Sequence, residues 1–411
     1  MKTLFLTQDF PPDLGGMARL YGEICRHLPA GGVEVSTVAA EASSAGPAQP
    51  DVAVHRMPFP FREAGRLYNV VRWARWTRWR LARGDVSLIQ AGNVRPTGYI
   101  ALWARIRCGV PYVLYVHGND LLKEERKSAH GLRGRWTARS ILGNAAAIIA
   151  NSRATADLTC TLLARLGIEP GAVRVRVVHP GTDPERFRPG APGADVWRER
   201  LGLRGRRVLL TVARLVPRKG IDVVLAGLPA LAARDPGLVY LVAGTGPDRP
   251  RLERLAAELG VSDRVRFLGA VGDDALPGLY AAADLFVLPA REEPRQDVGG
   301  FGIVYCEAAA TGLPVVAGAS GGIADAVRDG ETGILVPPED PATLTAAIER
   351  ILYDPGLRRR MGEAGRRAVE DHYHWKRAGA EIWRILEEVA AAENRRRPRA
   401  GAGRPGVYER T

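Results

Sequence analysis

Short apolar runs alternate with amphipathic, helix-length patterns along almost the whole chain. This alternation is typical of α/β folds, in which strands form a parallel sheet and helices cover its faces. In the first half the predicted strands lie near Leu4–Thr7, Val33–Ala39, Val86–Gln90, Tyr112–His117, Ala147–Ala150 and Val175–His179. In the second half they lie near Val208–Val212, Val239–Ala243, Val265–Leu268, Leu285–Leu288, Val315–Ala317 and Ile334–Val336.

Two sets of about six strands predict two Rossmann-like, doubly wound α/β domains that face each other across a cleft. The predicted first domain covers residues 1–185 and the second covers residues 186–372. A helix at about 373–392 is expected to pack back on the first domain, and the basic, breaker-rich tail 394–411 is predicted to be disordered. Because ligands of such folds bind beyond the carboxyl ends of the strands, the candidate motifs should meet in the cleft.

Composition narrows the class of protein. The 411 residues are 46% hydrophobic, and the four cysteines have no paired spacing, which argues against a disulfide framework or zinc site and suits a reducing compartment. The start turns polar too soon for a signal peptide, and no apolar run approaches the roughly 20 residues of a membrane span. We therefore expect a cytoplasmic protein, or one bound peripherally to the inner face of the cell membrane.

The net charge of +13 suits anionic lipids or phosphorylated substrates as partners. Neither zinc-finger spacing nor an RNA-binding aromatic motif occurs, so we predict no nucleic-acid partner.

The most informative stretch is the glycine-rich segment Gly299–Ala308, which follows the strand at Leu285–Leu288 and opens a helix. Small residues at a helix start leave backbone N–H groups available to an anion, and the helix dipole favours phosphate there. Glu307 falls about one turn into the helix, where its carboxylate can accept hydrogen bonds from sugar hydroxyls. A nucleotide diphosphate with its ribose suits this combination, and an ordinary strand–loop–helix connection is the alternative interpretation.

Two further loops carry ligand-binding residue types directly after predicted strands. Gly15 and Gly16 permit close backbone approach to a phosphate or sugar, although a sterically required turn also explains paired glycines. Arg214 and Lys219 are cations at a strand end, ahead of a helix, and both can reach the same diphosphate. A merely solvated basic loop is the alternative for that pair.

His117 ends a buried-looking strand and precedes a glycine, so it is predicted to point into the cleft. There it can donate to a hydroxyl or transfer a proton near neutral pH, whereas a core histidine is the alternative. The Gly244–Gly246 turn is a candidate wall of the nucleotide pocket. Asn151–Ser152 either joins the site or caps the next helix.

Taken in chain order, these pieces resemble the retaining glycosyltransferases of family 4, which have the GT-B architecture. The resemblance covers nearly the whole chain, and its segments are Pro11–Met17, His117–Gly118, Asn151–Ser152, Pro180–Asp183 with Phe187, Arg214–Gly220, Gly244–Gly246, Phe301–Ala308 and Thr332–Gly333. It implies a sugar-nucleotide donor, GDP- or UDP-linked, bound mainly by the second domain and an acceptor bound mainly by the first. It implies neither a metal nor a cofactor beyond these substrates.

The resemblance also assigns roles to individual positions. Cations and helix-terminal amides would hold the diphosphate, a carboxylate would bind the ribose, and the histidine would contact the transferred sugar. The implied catalytic residues are His117, Arg214 and Lys219, and the implied donor-binding residues are Gly15, Gly16, Gly244, Gly246, Gly302, Ile303, Val304 and Glu307. The expected reaction moves a hexose, with mannose slightly favoured, to a lipid-linked or saccharide hydroxyl while retaining the anomeric configuration.

Gly299 departs from the family pattern, which usually has a glutamate eight positions before Glu307. The missing carboxylate normally helps to fix the donor sugar, so donor orientation or choice is affected. A sugar-nucleotide-binding protein with impaired catalysis, or a GT-B nucleotide-sugar epimerase, are therefore the alternative functions.

The stretch Leu67–Arg83 is predicted to be a helix with an outward tryptophan and arginine surface. At about 100° per residue, Leu67, Val70, Val71, Ala74 and Leu81 share one face. The expected membrane or acceptor surface on the other side consists of Arg72, Trp76, Trp79, Arg80 and Arg83, with Arg75 nearby. Such a composition suits a helix lying on anionic headgroups, while packing against a neighbouring helix is the alternative.

Overall fold

A computed structural model describes residues 1–13, 15–39, 52–129, 131–292 and 300–396. Within these ranges the chain forms two parallel β-sheets with helices on both faces, which confirms the expected α/β class. In the described ranges, no helix combines the length and apolar character needed to cross a membrane.

The first sheet has seven strands among the described residues, in the order β3-β2-β1-β4-β5-β6-β7. They are β1 (Thr3–Leu6), β2 (Val33–Ala39), β3 (Ala53–Pro60), β4 (Leu88–Ala91), β5 (Tyr112–Val116), β6 (Ala147–Ala150) and β7 (Arg174–Val177). The accompanying helices are α1 (Gly16–Arg26), α2 (Leu67–Leu81), α3 (Thr97–Cys108), α4 (Asn119–Ala129), α5 (Leu132–Gly143) and α6 (Arg153–Arg165). β1 pairs in parallel with both β2 and β4, so the strand order reverses direction beside it.

The second sheet has six strands among the described residues, in the order β10-β9-β8-β11-β12-β13. They are β8 (Val208–Val212), β9 (Val239–Ala243), β10 (Val265–Gly269), β11 (Leu285–Leu288), β12 (Val315–Gly318) and β13 (Gly333–Val336). The helices are α7 (Ala194–Arg200), α8 (Ile221–Arg234), α9 (Arg249–Glu258), α10 (Leu276–Ala281), α11 (Ile303–Ala310), α12 (Ile323–Ala326), α13 (Pro341–Leu352), α14 (Pro355–Asp371) and α15 (Trp375–Arg396).

Strand β3 has no counterpart in the sequence prediction. It forms the edge of the first sheet and contains Pro58 and Pro60, each of which lacks the N–H that a central strand needs. An edge strand tolerates proline because one of its sides makes no ladder hydrogen bonds. Because of these prolines, the sequence did not predict a strand here. β3 nevertheless pairs with its one neighbour, β2, along most of its length.

Each sheet is covered by two apolar layers. On the first sheet, α2, α3, α5 and α6 cover one face, whereas α1 and α15 cover the other. Helix α15 thus returns from the end of the described chain to the first sheet, where Trp375, Ile382 and Leu386 pack against Phe5 and Val35. It continues to Arg396, past the start of the predicted tail, and the rest of that tail lies outside the described residues.

Candidate functional site

Three loops of the second sheet come together at its carboxyl edge. They follow β9, β8 and β11, which are direct neighbours in the sheet, and the strand order reverses between β8 and β11. Open parallel sheets bind ligands at such a reversal, beyond the carboxyl ends of the strands. The sequence motifs at Arg214, Gly244 and Gly302 therefore lie on adjacent loops.

The loops after β8 and β9 are packed backbone against backbone. A Cβ atom on Gly244 would lie 1.9 Å from the carbonyl oxygen of Ala213, and one on Gly246 would lie 2.1 Å from that of Leu215. Glycine is therefore required at both positions, and the Leu215 N–H donates to the Thr245 carbonyl at 2.9 Å. The Arg214 side chain is exposed and that of Lys219 is half-buried at the same edge.

Helix α11 begins directly at the third loop. Gly302 is its N-cap residue and has a φ of 81°, in the left-handed region where glycine is favoured. Ile303 and Val304 form the first turn, whose N–H groups have no intrahelical partners. The Tyr305 hydroxyl donates to the Leu288 carbonyl at 2.9 Å and so ties this turn to β11. Gly299, the departure from the family pattern, lies outside the described residues.

Glu307 is buried at the wall of the cleft, with its side chain 1% exposed. The Tyr280 hydroxyl donates to its Oε2 at 2.8 Å, and the Arg19 guanidinium lies 2.5 Å from its Oε1. Arg19 belongs to α1 of the first domain, so this ion pair joins the two sides of the cleft. Sequence reasoning missed both partners, although Arg19 stands about one helical turn after Gly16, on a helix already assigned to the site.

The first-domain wall begins at the paired glycines. Gly16 is the first residue of α1, and Gly15 is its N-cap with a φ of 145°. A Cβ atom on either glycine would meet no atom of the described residues within 4 Å. Neighbouring protein atoms in this part of the chain therefore require neither glycine, but the φ of Gly15 lies in the range that favours glycine. A required turn thus explains Gly15, whereas the open space at Gly16 leaves room for a ligand to approach.

His117 follows β5 and is held by polar contacts. Its Nε2 lies 2.7 Å from the Tyr21 hydroxyl of α1, and its backbone N–H donates to Asp120 Oδ1 at 2.9 Å. Burial lowers the pKa of His117 to about 3, so the imidazole is neutral at physiological pH. Burial also raises the pKa of Asp120 to about 6, and burial followed by the charge of Asp13 raises that of Asp9 to about 6.

A second contact between the domains lies at Asn151–Ser152. The Ser152 hydroxyl accepts the Thr155 N–H at 3.1 Å and caps α6, as one of the two sequence interpretations had it. A Cβ atom on Gly322 would lie 2.6 Å from the Ser152 Oγ, so the turn after β12 packs directly on this cap. Asp325 accepts the Arg153 N–H at 2.5 Å and lies 3.4 Å from His179 Nε2.

The outward face of α2 differs from the prediction. The prediction that Arg80 belongs to the outward surface is wrong, because its side chain is 1% exposed and binds Glu34 and Asp85. Leu67, which was assigned to the apolar face, is 78% exposed, while Trp73 is fully buried and donates to Ser36 Oγ. Ala74 and Leu81 of the predicted apolar face are buried, so the buried side of α2 is turned from that face towards Trp73 and Arg80.

The remaining surface residues of α2 are at or near the exterior, as expected. Trp79 is 57% exposed with the Arg83 guanidinium 4.5 Å from its ring centroid, and Arg72 lies 5.4 Å from the ring of Tyr68. Trp76 is half-buried and its ring lies 5.2 Å from that of His55.

Two family models match this chain in adjoining segments. The model for "Glycosyltransferase Family 4" matches residues 14–186, and the model for "Glycosyl transferases group 1" matches residues 194–368.

Relatives and solved structures agree with these matches. A protein of Mycobacterium tuberculosis named GDP-mannose-dependent alpha-(1-6)-phosphatidylinositol monomannoside mannosyltransferase is 31% identical over 403 residues, which span 95% of this chain and 99% of the relative. A D-inositol 3-phosphate glycosyltransferase of Salinispora arenicola is 37% identical over 330 residues, which span 76% of this chain and 70% of the relative. The crystal structure of Anabaena HepE in complex with UDP and glucose superposes with a TM-score of 0.75 at 23% identity, over 94% of this chain and 99% of that one. That structural likeness shows the shared fold.

Proposed function

This chain belongs to the glycosyltransferases of family 4, and we propose that it transfers a hexose from a nucleoside diphosphate sugar to a hydroxyl of a lipid-linked or saccharide acceptor. The favoured donor is GDP-mannose, because the relative that spans nearly the whole chain carries that donor in its name. The proposed reaction retains the anomeric configuration and uses no metal.

The observation that carries the proposal is the convergence of three loops on the reversal point of the second sheet, opposite the start of α1. The loop after β8 carries Arg214 and Lys219, and the loop after β11 leads into α11, which provides its first turn and the buried carboxylate of Glu307. A diphosphate needs cations and N–H donors, and a ribose needs a carboxylate acceptor. The site offers each of these groups at one edge.

The proposed mechanism uses these groups to stabilise the leaving group. As the glycosidic C–O bond breaks, negative charge grows on the departing diphosphate, and fixed cations and helix-terminal amides stabilise that charge. The acceptor hydroxyl attacks from the same face, and its proton passes to the leaving phosphate oxygen. Bond formation on the face of bond cleavage retains the configuration without a protein nucleophile.

A donor panel tests the proposal. Purified protein is incubated with GDP-mannose and UDP- and GDP-linked hexoses, each with candidate acceptors and with EDTA, and products are read by mass spectrometry and anomeric NMR. We expect nucleoside diphosphate and a retained glycoside from one donor, lost in Glu307→Gln. Absence of turnover from every donor in a folded protein that still binds nucleotide would instead favour the catalytically impaired binding protein. A new sugar nucleotide formed without acceptor would favour the epimerase.

A soluble acceptor is the second candidate, and the name of the Salinispora relative favours it. The two acceptors are distinguished by including inositol phosphate and phosphatidylinositol glycosides in the same panel. Turnover with inositol phosphate alone would assign the soluble acceptor.

A lipid acceptor is supported by an apolar surface at the cleft side of the first domain. Helix α2 begins beyond the carboxyl end of β3, and its first turn exposes apolar side chains. These are Leu67 at 78% and Tyr68 at 70% exposed, and we call them the edge patch. Arg72 and Arg75 follow in the same helix and suit anionic headgroups.

A further inference from the structure

Tyr21 and His117 form a buried polar pair between α1 and the end of β5. The Tyr21 side chain is fully buried, and its hydroxyl contacts two groups. One is the carbonyl oxygen of Gly92, and the other is His117 Nε2 at 2.7 Å.

Counting protons fixes the state of the histidine. A phenol carries one hydrogen, and a carbonyl oxygen can only accept, so the Tyr21 proton points to Gly92. The Tyr21 oxygen must then accept a hydrogen from His117, which places the imidazole proton on Nε2. A neutral imidazole carries a single N–H, so Nδ1 holds a free lone pair. The alternative, with the phenol donating to His117, would leave two oxygen atoms in close contact without a hydrogen between them.

The packing around Tyr21 holds this arrangement in one geometry. The ring makes an edge contact with Phe5 at 4.9 Å and another with Tyr115 at 6.0 Å between centroids. A Cβ atom on Gly92 would lie 3.1 Å from Tyr21 Cε2, so the glycine lets the ring reach that carbonyl. The hydroxyl therefore has little freedom to change partners.

We propose that Tyr21 is a positioning residue that fixes His117 as the Nε2–H tautomer, so that Nδ1 accepts a hydrogen bond from a hydroxyl of the transferred sugar. His117 Nδ1 is buried and has no hydrogen-bond partner among the described residues. An unpaired buried acceptor is costly, and a sugar hydroxyl is the donor that would satisfy it. The inference rests on the proposed function for the identity of that donor. It narrows the sequence expectation, because this histidine accepts from the sugar and does not donate to it.

The first test reads the tautomer directly. Protein labelled with ¹⁵N-histidine is studied by long-range ¹H–¹⁵N correlation from pH 6 to 8, with the His117 signals assigned from their loss in His117→Asn. We expect the neutral Nε2–H pattern in the wild type and its loss or mixing in Tyr21→Phe. Tyr115→Phe is the matched control, since that buried tyrosine donates to Gln90 Oε1 and should leave the signals unchanged. An Nδ1–H or imidazolium pattern in the wild type overturns the inference even if Tyr21→Phe fails to fold.

The second test reads catalysis. For Tyr21→Phe we expect kcat to fall about tenfold while the Kd for nucleoside diphosphate stays within about twofold, since the cations and helix-terminal amides proposed for the diphosphate lie in the other domain. Donors lacking one sugar hydroxyl should lose less activity in Tyr21→Phe than in the wild type. An unchanged kcat contradicts the inference. A protein that shows the expected tautomer but turns over no donor contradicts the proposed function instead.

Discussion

The guanidinium of Arg80 lies between two carboxylates, Glu34 of β2 and Asp85 beyond the end of α2. It donates to both oxygens of Glu34 at 2.9 Å or less and to Asp85 at 2.6 Å. An arginine in this setting has its charge and its N–H groups satisfied and can be buried. The sequence alone places Arg80 among the solvent-facing arginines of α2. No residue near Arg80 in the chain indicates that Glu34 of β2 lies opposite it.

Removing this arginine should destabilise the first domain. Arg80→Ala removes the arginine that contacts both oxygens of the buried Glu34 and leaves only Lys2 and His55 as its partners, and breaking a buried ion pair costs about 3–5 kcal/mol. We expect a lower urea midpoint for the transition of the first domain, followed by tryptophan fluorescence. Arg78→Ala, an exposed arginine of the same helix, should stay within about 0.5 kcal/mol of the wild type. Equal shifts in the two variants would contradict the structural role of Arg80.

The same cluster should make stability depend on acid pH. Burial alone would raise the pKa of Glu34, but hydrogen bonds from Arg80, His55 and Lys2 outweigh it and lower the pKa to about 2. The pKa of a glutamate in the unfolded chain is about 4.3. The ionised Glu34 carboxylate therefore stabilises the fold above that pH, and this contribution is lost as the pH falls towards 2. Glu34→Gln should therefore have a lower thermal midpoint at pH 7 and a shallower decline below about pH 4. Parallel curves for the two proteins would disprove this linkage.

Arg214 and Lys219 are the residues on which the proposed chemistry depends most. Each should contribute one charge-assisted contact to the leaving diphosphate, and removal of such a contact costs about 2–4 kcal/mol of transition-state stabilisation. We expect kcat/KM to fall about 30- to 1000-fold in Arg214→Ala and in Lys219→Ala. Arg254→Ala, an exposed arginine on α9, provides the control. Near-normal kcat/KM in both site variants would remove their assigned roles.

Helices α1 and α11 approach each other across the cleft through Arg19 and Glu307. The Arg19 guanidinium also lies 5.6 Å from the ring centroid of Phe187 in the second domain. Because Glu307 is buried, its carboxylate depends on Arg19 and Tyr280 for compensation. Without Arg19, the buried carboxylate of Glu307 loses its positive partner, and water can reach that carboxylate when α1 and α11 separate.

Arg19→Gln should therefore favour a more open molecule. We expect a larger radius of gyration by small-angle X-ray scattering, and a return towards the wild-type value when GDP or UDP is added. Arg186→Gln is the matched control, because the Arg186 guanidinium also lies near the Phe187 ring, at 5.4 Å from its centroid, but donates to the Asp273 carbonyl within the second domain. Identical scattering curves for the wild type and Arg19→Gln would show that the pair does not hold the cleft.

The sequence predicted those parts of the site that are local in the chain. Glu307 and the start of α11 lie within a few residues of each other, and a strand followed by glycines and a helix is visible without a structure. Tyr21 and His117 are 96 residues apart, and Arg19 and Glu307 belong to different domains, so no spacing rule connects either pair. The burial of Arg80 on α2 was missed for the same reason, since its partner Glu34 is 46 residues away in the chain.

Two surfaces of the first domain are candidates for contact with a bilayer, and they lie at opposite ends of α2. Leu67 and Trp79 are separated by about 18 Å along the helix at 1.5 Å per residue. The edge patch stands at the carboxyl edge, where the cleft is, whereas Trp79 and Arg83 stand towards the amino edge. A lipid acceptor must reach His117 at the carboxyl end of β5, so a membrane contact that serves catalysis should use the edge patch.

Vesicle sedimentation distinguishes the two surfaces. With a net charge of +13, the protein should bind vesicles containing phosphatidylserine and release them as salt is raised, since each basic residue near the bilayer contributes about 1 kcal/mol. Leu67→Ser/Tyr68→Ser should lower the bound fraction several-fold, while Trp76→Ala/Trp79→Ala should change it little. Ile106→Ser is the control, because Ile106 is 69% exposed but lies near the end of α3 at the amino edge. A several-fold loss of binding in Trp76→Ala/Trp79→Ala would mean that the bilayer contacts the end of α2 that is remote from the cleft. A soluble acceptor would then be the better explanation of the site.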